Sequence, residues 1–129
     1  MKEIQYTLSI FGGIIGWYVG GVDGFMYALI PFIMIDYITG IMVAVLEHKL
    51  SSEVGFKGIF KKMLIFILVG VGNMIDFYLI KNGSAIRTAV IFFYTANEGI
   101  SIIENTAKIG LPILKKLRDI LEQLKKEDD

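Results

Sequence analysis

Four carboxylates lie inside or at the edge of apolar stretches of this 129-residue chain: Asp36, Asp76, Glu98 and Glu104. The same stretches carry Thr39, Gly40, Asn73, Arg87, Asn97, Ser101 and Asn105. In hydrocarbon such groups pair with one another or line water, and an ionisable residue in a membrane segment points to function by default. The structural alternative is a carboxyl that is hydrogen-bonded only to hold a bundle together. Catalysis is a poor fit: no nucleophile stands with a base, no glycine loop is built to cradle phosphate, and no nucleic-acid motif is present. There is no cysteine, and the single histidine, His48, sits between Glu47 and Lys49 as a solvated side chain would. No metal, no cofactor and no enzymatic activity are expected.

The polar groups concentrate between Ala85 and Lys108. At about 100° per residue, Arg87, Tyr94, Glu98, Ser101, Asn105 and Lys108 share one helical face, with Asn97 and Glu104 on its flank. Val90, Ile91, Phe92, Phe93, Ile100, Ile102 and Ile103 make up the apolar, lipid-facing remainder. Large apolar residues contribute about −0.3 to −0.6 kcal/mol each to insertion, and one carboxylate near mid-membrane costs about 2.5 to 3.5 kcal/mol. The segment is therefore close to break-even on its own, and its polar stripe needs partners or water. Alone it would also suit an amphipathic helix of a soluble core; three further hydrophobic segments argue for a membrane.

Hydrophobic residues make up 54 % of the chain, and the mean hydropathy is +0.61 even with the polar tail included. The expected fold is all-α: an integral membrane protein of four transmembrane helices with a short amphipathic C-terminal helix. Residues 1–110 form the membrane domain and 111–129 a charged cytoplasmic tail. The first segment, Ile4 to Val22, has no A-x-A-like cleavage site after it and reads as a retained helix. Gly12, Gly16 and Gly20 recur on every fourth residue, a face for close packing within a bundle or between copies. Trp17 and Tyr18 suit a membrane interface, and Gly20 to Gly24 turn the chain. Phe25 to Leu46 is the clearest span, with Asp36 near its centre and Pro31 tolerable in its first half.

Between Glu47 and Lys62, Ser51, Ser52, Gly55 and Gly58 read as loop residues. Lys57, Lys61 and Lys62, interleaved with Phe56, Ile59, Phe60 and Met63, predict a short interfacial helix whose basic residues lie on anionic lipid. Met63 to Ile80 forms the third span, with Asn73 and Asp76 one turn apart on the face of Lys62. Lys81 to Gly83 turn the chain, and Ser84 is placed to cap the fourth segment. Beyond Gly110 and Pro112, the spacing of Leu114, Leu117, Leu121 and Leu124 predicts an amphipathic tail helix whose seam meets another copy or the membrane surface. Four Lys or Arg follow the second segment and six lie in the C-terminal region, whereas the turn after the first segment has none. Both termini on the cytoplasmic side satisfy that asymmetry.

Several of these residues fall in runs with a family signature. They are Asp36, Thr39 and Gly40 in D-Y-I-T-G, Ser51 and Ser52 followed by K-G-I-F-K-K, Asp76, and N-E-G-I-S-I-I-E-N from Asn97 to Asn105, with G-L-P at Gly110 to Pro112. Over most of its length the chain resembles phage holins of the clostridial and Bacillus type, including toxin-secretion holins. The family often has a second proline where this chain has Leu114. The resemblance implies a multi-pass protein of the host bacterial cytoplasmic membrane. It would form a homo-oligomer in the lipid bilayer and open holes that release an endolysin or a toxin, with no nucleic-acid partner. The rival reading is a small four-helix ion channel or transporter with an essential membrane carboxylate; a scaffold that only recruits partners is a third. Escape of a large cytoplasmic enzyme from cells expressing the protein alone separates them.

Three structural expectations follow. Asp76 and Arg87, close in depth across the third turn, form an ion pair. The Gly12, Gly16 and Gly20 face packs against another helix. Glu98 and Asn97 sit in protein contacts in the closed protein and turn toward water when copies accumulate.

Overall fold

The computed structural model describes residues 1–111 and 115–128, and within these every regular element is helical. Helix α1 covers Lys2–Val19, α2 Gly24–Leu46, α3 Ser52–Met74, α4 Ala85–Ile109 and α5 Lys115–Asp128. A π-helical segment, Ile75–Ile80, continues α3 to the third turn. Pro112 and Leu114 lie outside the described residues.

Helix α4 is the centre of the molecule, with α2, α3 and α5 packed around it, while α1 packs against α3. The core is a cluster of Val19, Met26, Leu29, Ile33, Ile65, Val69 and Ile91, so it draws on the first four helices. This corrects the expected orientation of the apolar side of α4. Ile91 and Ile103 are 1 % and 7 % exposed, because a helix flanked on several sides turns only part of its apolar surface outward. Phe92 does remain exposed.

The stretch from Glu47 to Lys62 also differs from expectation. No separate interfacial helix forms; after a short turn, Ser51 caps a single helix by accepting from the Val54 N–H at 3.1 Å. Gly55 and Gly58 lie inside it as a notch for an aromatic ring. The Tyr37 hydroxyl donates to the Gly55 carbonyl at 3.2 Å, and a Cβ on Gly58 would come within 3.0 Å of the Tyr37 ring. The same device recurs higher up α3, where the Tyr18 ring occupies the space a side chain at Gly70 would need and the Tyr18 hydroxyl donates to Ile67 O. Contact with a neighbouring ring thus overrides the loop preference of these glycines.

Among the described residues two helical stretches are long and apolar enough to cross a bilayer: Gly24–Leu46, with a mean hydropathy of 2.2, and Ser52–Ile80, with 2.1. Only 11 % and 28 % of their apolar windows are buried inside the molecule. A core helix of a water-soluble protein would be mostly enclosed, so these surfaces need an apolar solvent. Helices α1 and α4 are less apolar: α1 begins with Lys2, Glu3 and Gln5, and α4 carries its own charges.

Candidate functional site: two charge networks on one helix

The polar stripe of α4 is engaged at two levels. Arg87 and Glu98, eleven positions apart, lie about 16 Å from each other along the axis at 1.5 Å per residue. The apolar core lies between them.

At the Glu98 level three helices contribute one charge each. Lys62 of α3 donates from Nζ to both oxygens of Glu98, at 2.8 and 2.6 Å, and to Asp36 Oδ2 of α2. Asp36 and Glu98 are 8 % and 5 % exposed. Asn105, two turns beyond Glu98, donates to Asp36 Oδ1 at 3.2 Å and to Thr39 Oγ1 at 3.0 Å. Gly40 leaves room beside that amide, with 3.8 Å between its Cβ position and Asn105 Nδ2. Thr39 donates back to the Ile35 carbonyl at 2.8 Å. The cluster is thus closed by hydrogen bonds, as a buried ion group requires. Lys62 belongs inside it and not with the surface lysines. At the start of the apolar part of α3, its stem follows the helix and its ammonium finds two carboxylates nearer than water. Lys57 and Lys61 do stay exposed.

At the Arg87 level the expected ion pair with Asp76 does not form. The Asp76 carboxylate, 2 % exposed, accepts from the backbone N–H groups of Ile86 and Arg87 at 3.1 and 2.8 Å. It supplies the first-turn cap that the Ser84 side chain does not make. An anion there also meets the positive end of the α4 dipole. The Arg87 guanidinium points the other way. It donates to Asp23 Oδ2 at 2.8 Å, Val19 O at 2.6 Å and Gly21 O at 2.8 Å. Asn73 joins it by donating to Tyr18 O at 3.0 Å. Together they satisfy carbonyls left open where α1 ends at Gly20, whose φ of 87° is left-handed.

Asp23 was read from sequence only as a turn residue. Its place one residue before a helix was a signal, and it accepts the N-cap bond from Met26 N at 3.1 Å. The adjacent Arg87 guanidinium holds its carboxyl below the ordinary value of 3.8, against the opposing effect of partial burial.

Asn97 and Ser101 line a cavity of about 530 Å³ beside Asp36, Lys62 and Glu98. Glu104 is exposed and joins neither network. Gly12 and Gly16 have nothing within 4 Å of their Cβ positions, so among the described residues no helix packs on that part of the glycine face. Gly20 instead abuts Asn73 and Arg87.

The profile of the bacteriophage holin family matches residues 13–126. The chain belongs to the bacteriophage holin family. The probable holin of Bacillus phage phi105 is 36 % identical over 112 residues, covering 87 % of this chain and 82 % of that protein. An uncharacterised protein of Listeria monocytogenes is 43 % identical over 118 residues, covering 92 % and 84 %. An uncharacterised 14.9 kDa protein of Clostridium perfringens is 38 % identical over 125 residues, covering 96 % and 94 %. No solved structure matches. Membership of the holin family and the two exposed apolar helices identify a membrane protein with a holin-type role in phage lysis.

Proposed function

We propose that this chain is a holin that inserts as four spans, with both termini cytoplasmic, and assembles into lesions that pass an endolysin or another large protein. The observation that carries the reading is the Asp36, Lys62 and Glu98 cluster. It gives Glu98 and Asn105 of the α4 stripe partners within one copy, which is what allows a helix with a buried charge to wait in a bilayer. Water lining a multi-copy opening would offer those groups a second satisfied environment. Two such arrangements can lie within a few kcal/mol, so mass action by accumulating copies can shift the population.

In this reading Glu98 and Ser101 face protein in the closed form and water in the open one, and Asn97 passes from the cavity beside them to the same water. Asp36, Thr39, Gly40 and Asn105 hold the closed form, as Asn73, Asp76 and Arg87 do at the opposite end, and Glu104 continues the stripe. Gly12 and Gly16 meet a second copy. Lys57 and Lys61 lie at the anionic surface, residues 1–110 make the membrane domain, and 111–129 make its charged tail, whose helix α5 rests on α4. The deciding experiment is sized release from cells making this protein alone: escape of a large cytoplasmic enzyme is expected. Retention of that enzyme despite full insertion, or leakage of ions only, would refute the assignment.

A further inference from the structure

Helices α3 and α4 are fastened at both ends and open between. Asp76 grips the backbone of Arg87 at one end, and Lys62 grips Glu98 at the other. Between these clasps runs a groove. Its Lys62 end is the 530 Å³ cavity, where Lys61, Tyr94, Asn97 and Ser101 stand beside Leu64 and Leu68. Leu68 and Tyr94 also line the next cavity, of about 440 Å³, whose other walls include Val71, Ile75, Ile86 and Val90. The groove is thus polar at one end, where Lys61 stands outside the Lys62, Asp36 and Glu98 cluster, and apolar for the rest of its length. From Lys61 to Ile75 it covers about 21 Å of helix, more than the roughly 15 Å of one hydrocarbon leaflet.

We propose that this groove holds one phospholipid of the cytoplasmic leaflet. Its phosphate lies on Lys61 beside the Asn97 amide, and an acyl chain runs along Val71, Ile75 and Val90. Three observations favour this occupant. Among the described residues, the side chains of Lys61, Tyr94 and Asn97 make no hydrogen bond or ion pair to protein, so donors are free where a phosphate would sit. The apolar walls continue without a break toward the far end of the bundle. The acids nearest to Lys61, Asp36 and Glu98, are already bound to Lys62, which leaves the Lys61 ammonium to an outside anion. A bound lipid fills the space that α4 would sweep when its polar stripe turns outward, and it thereby holds the closed bundle. The inference rests on the membrane topology proposed above.

The test uses the full chain in bilayers of phosphatidylglycerol and phosphatidylethanolamine that contain a phospholipid with a photoactivatable acyl chain, followed by mapping of the labelled peptides. Labelling of α3 and α4 around Val71 and Val90 is expected, falling about tenfold in Lys61→Glu, a loss near 1.4 kcal/mol of binding. Val90→Trp, which fills the groove without touching the charges, should abolish the label, and Lys57→Glu should leave it unchanged. Carbonate extraction of the same membranes keeps the two readings apart. Protein that washes out refutes the membrane topology. Protein that stays while the label is absent, spread evenly over all outward faces, or equal in Lys61→Glu overturns the lipid site. Cross-links between copies through Val90 would assign the groove to a second copy instead.

Discussion

Asp76 and Arg87 meet through the backbone and not through opposite charges. The carboxylate accepts from Arg87 N at 2.8 Å while the guanidinium turns to Asp23, sixty-four residues away in sequence. One residue thereby joins the turn after α1 to the start of α4, and a second joins the end of α3 to the same start. Exchanging the two, Asp76→Arg with Arg87→Asp, should leave both the cap and the Asp23 contact unmade. We expect the double exchange to be no better in membrane leakage and thermal stability than either single change. A full rescue would contradict this geometry.

Charge deletion at the other level has a larger expected effect. Lys62→Met leaves Asp36 and Glu98 buried side by side without a cation, and breaking a buried ion group in this way costs about 3–5 kcal/mol. Adding Asp36→Asn and Glu98→Gln to Lys62→Met removes the stranded charges and should recover more than half of that loss. Unfolding in mixed detergent micelles measures both. A Lys62→Met variant within about 1 kcal/mol of the parent would show that the cluster carries little of the stability.

The Asp23 contact has a defined pH window. Its folded pKa lies below the ordinary 3.8 because of Arg87, so its contribution is fully present above the unfolded value and is lost as pH falls through the folded one. Trp17, the only tryptophan, lies in the last turn of α1 and reports on that junction. Its emission should stay constant from neutral pH to about pH 5 and shift only below roughly pH 4. Asp23→Asn should show its shifted emission at every pH. A midpoint near pH 6 in the parent would assign the transition to another group.

Helix α5 packs along α4, and the side chain at the centre of that seam is Leu121. Leu121 is its buried residue among those described, and it rests against Gly99 so closely that a Cβ there would stand 3.0 Å from Leu121 Cδ1, inside van der Waals contact. Leu121→Asp or Gly99→Leu should release α5, and limited trypsin digestion from the cytoplasmic side should then cut after Lys116 and Arg118 several-fold faster. Unchanged cleavage rates in both variants would place the holding contact elsewhere.

The amino-acid sequence by itself determined that the chain is helical, that its apolar segments seek a bilayer, and that α4 carries a polar stripe which needs partners. These follow from residue type and period, which act locally. The runs around Asp36 and Asn97 also carried the family likeness that the holin profile and the phi105 relative bear out. Only the tertiary structure decided which partner each charge takes. Lys62 had the same local surroundings as Lys57 and Lys61, and only the convergence of α2 and α4 on α3 made it the counter-ion of Asp36 and Glu98. Ile91 had the pattern of a lipid-facing residue, and the central position of α4 buried it. Gly55 and Gly58 had the composition of a loop, and a tyrosine from another helix turned them into a packing notch. In each case the deciding contact joins distant parts of the chain, and helical period carries no information about which distant faces will meet.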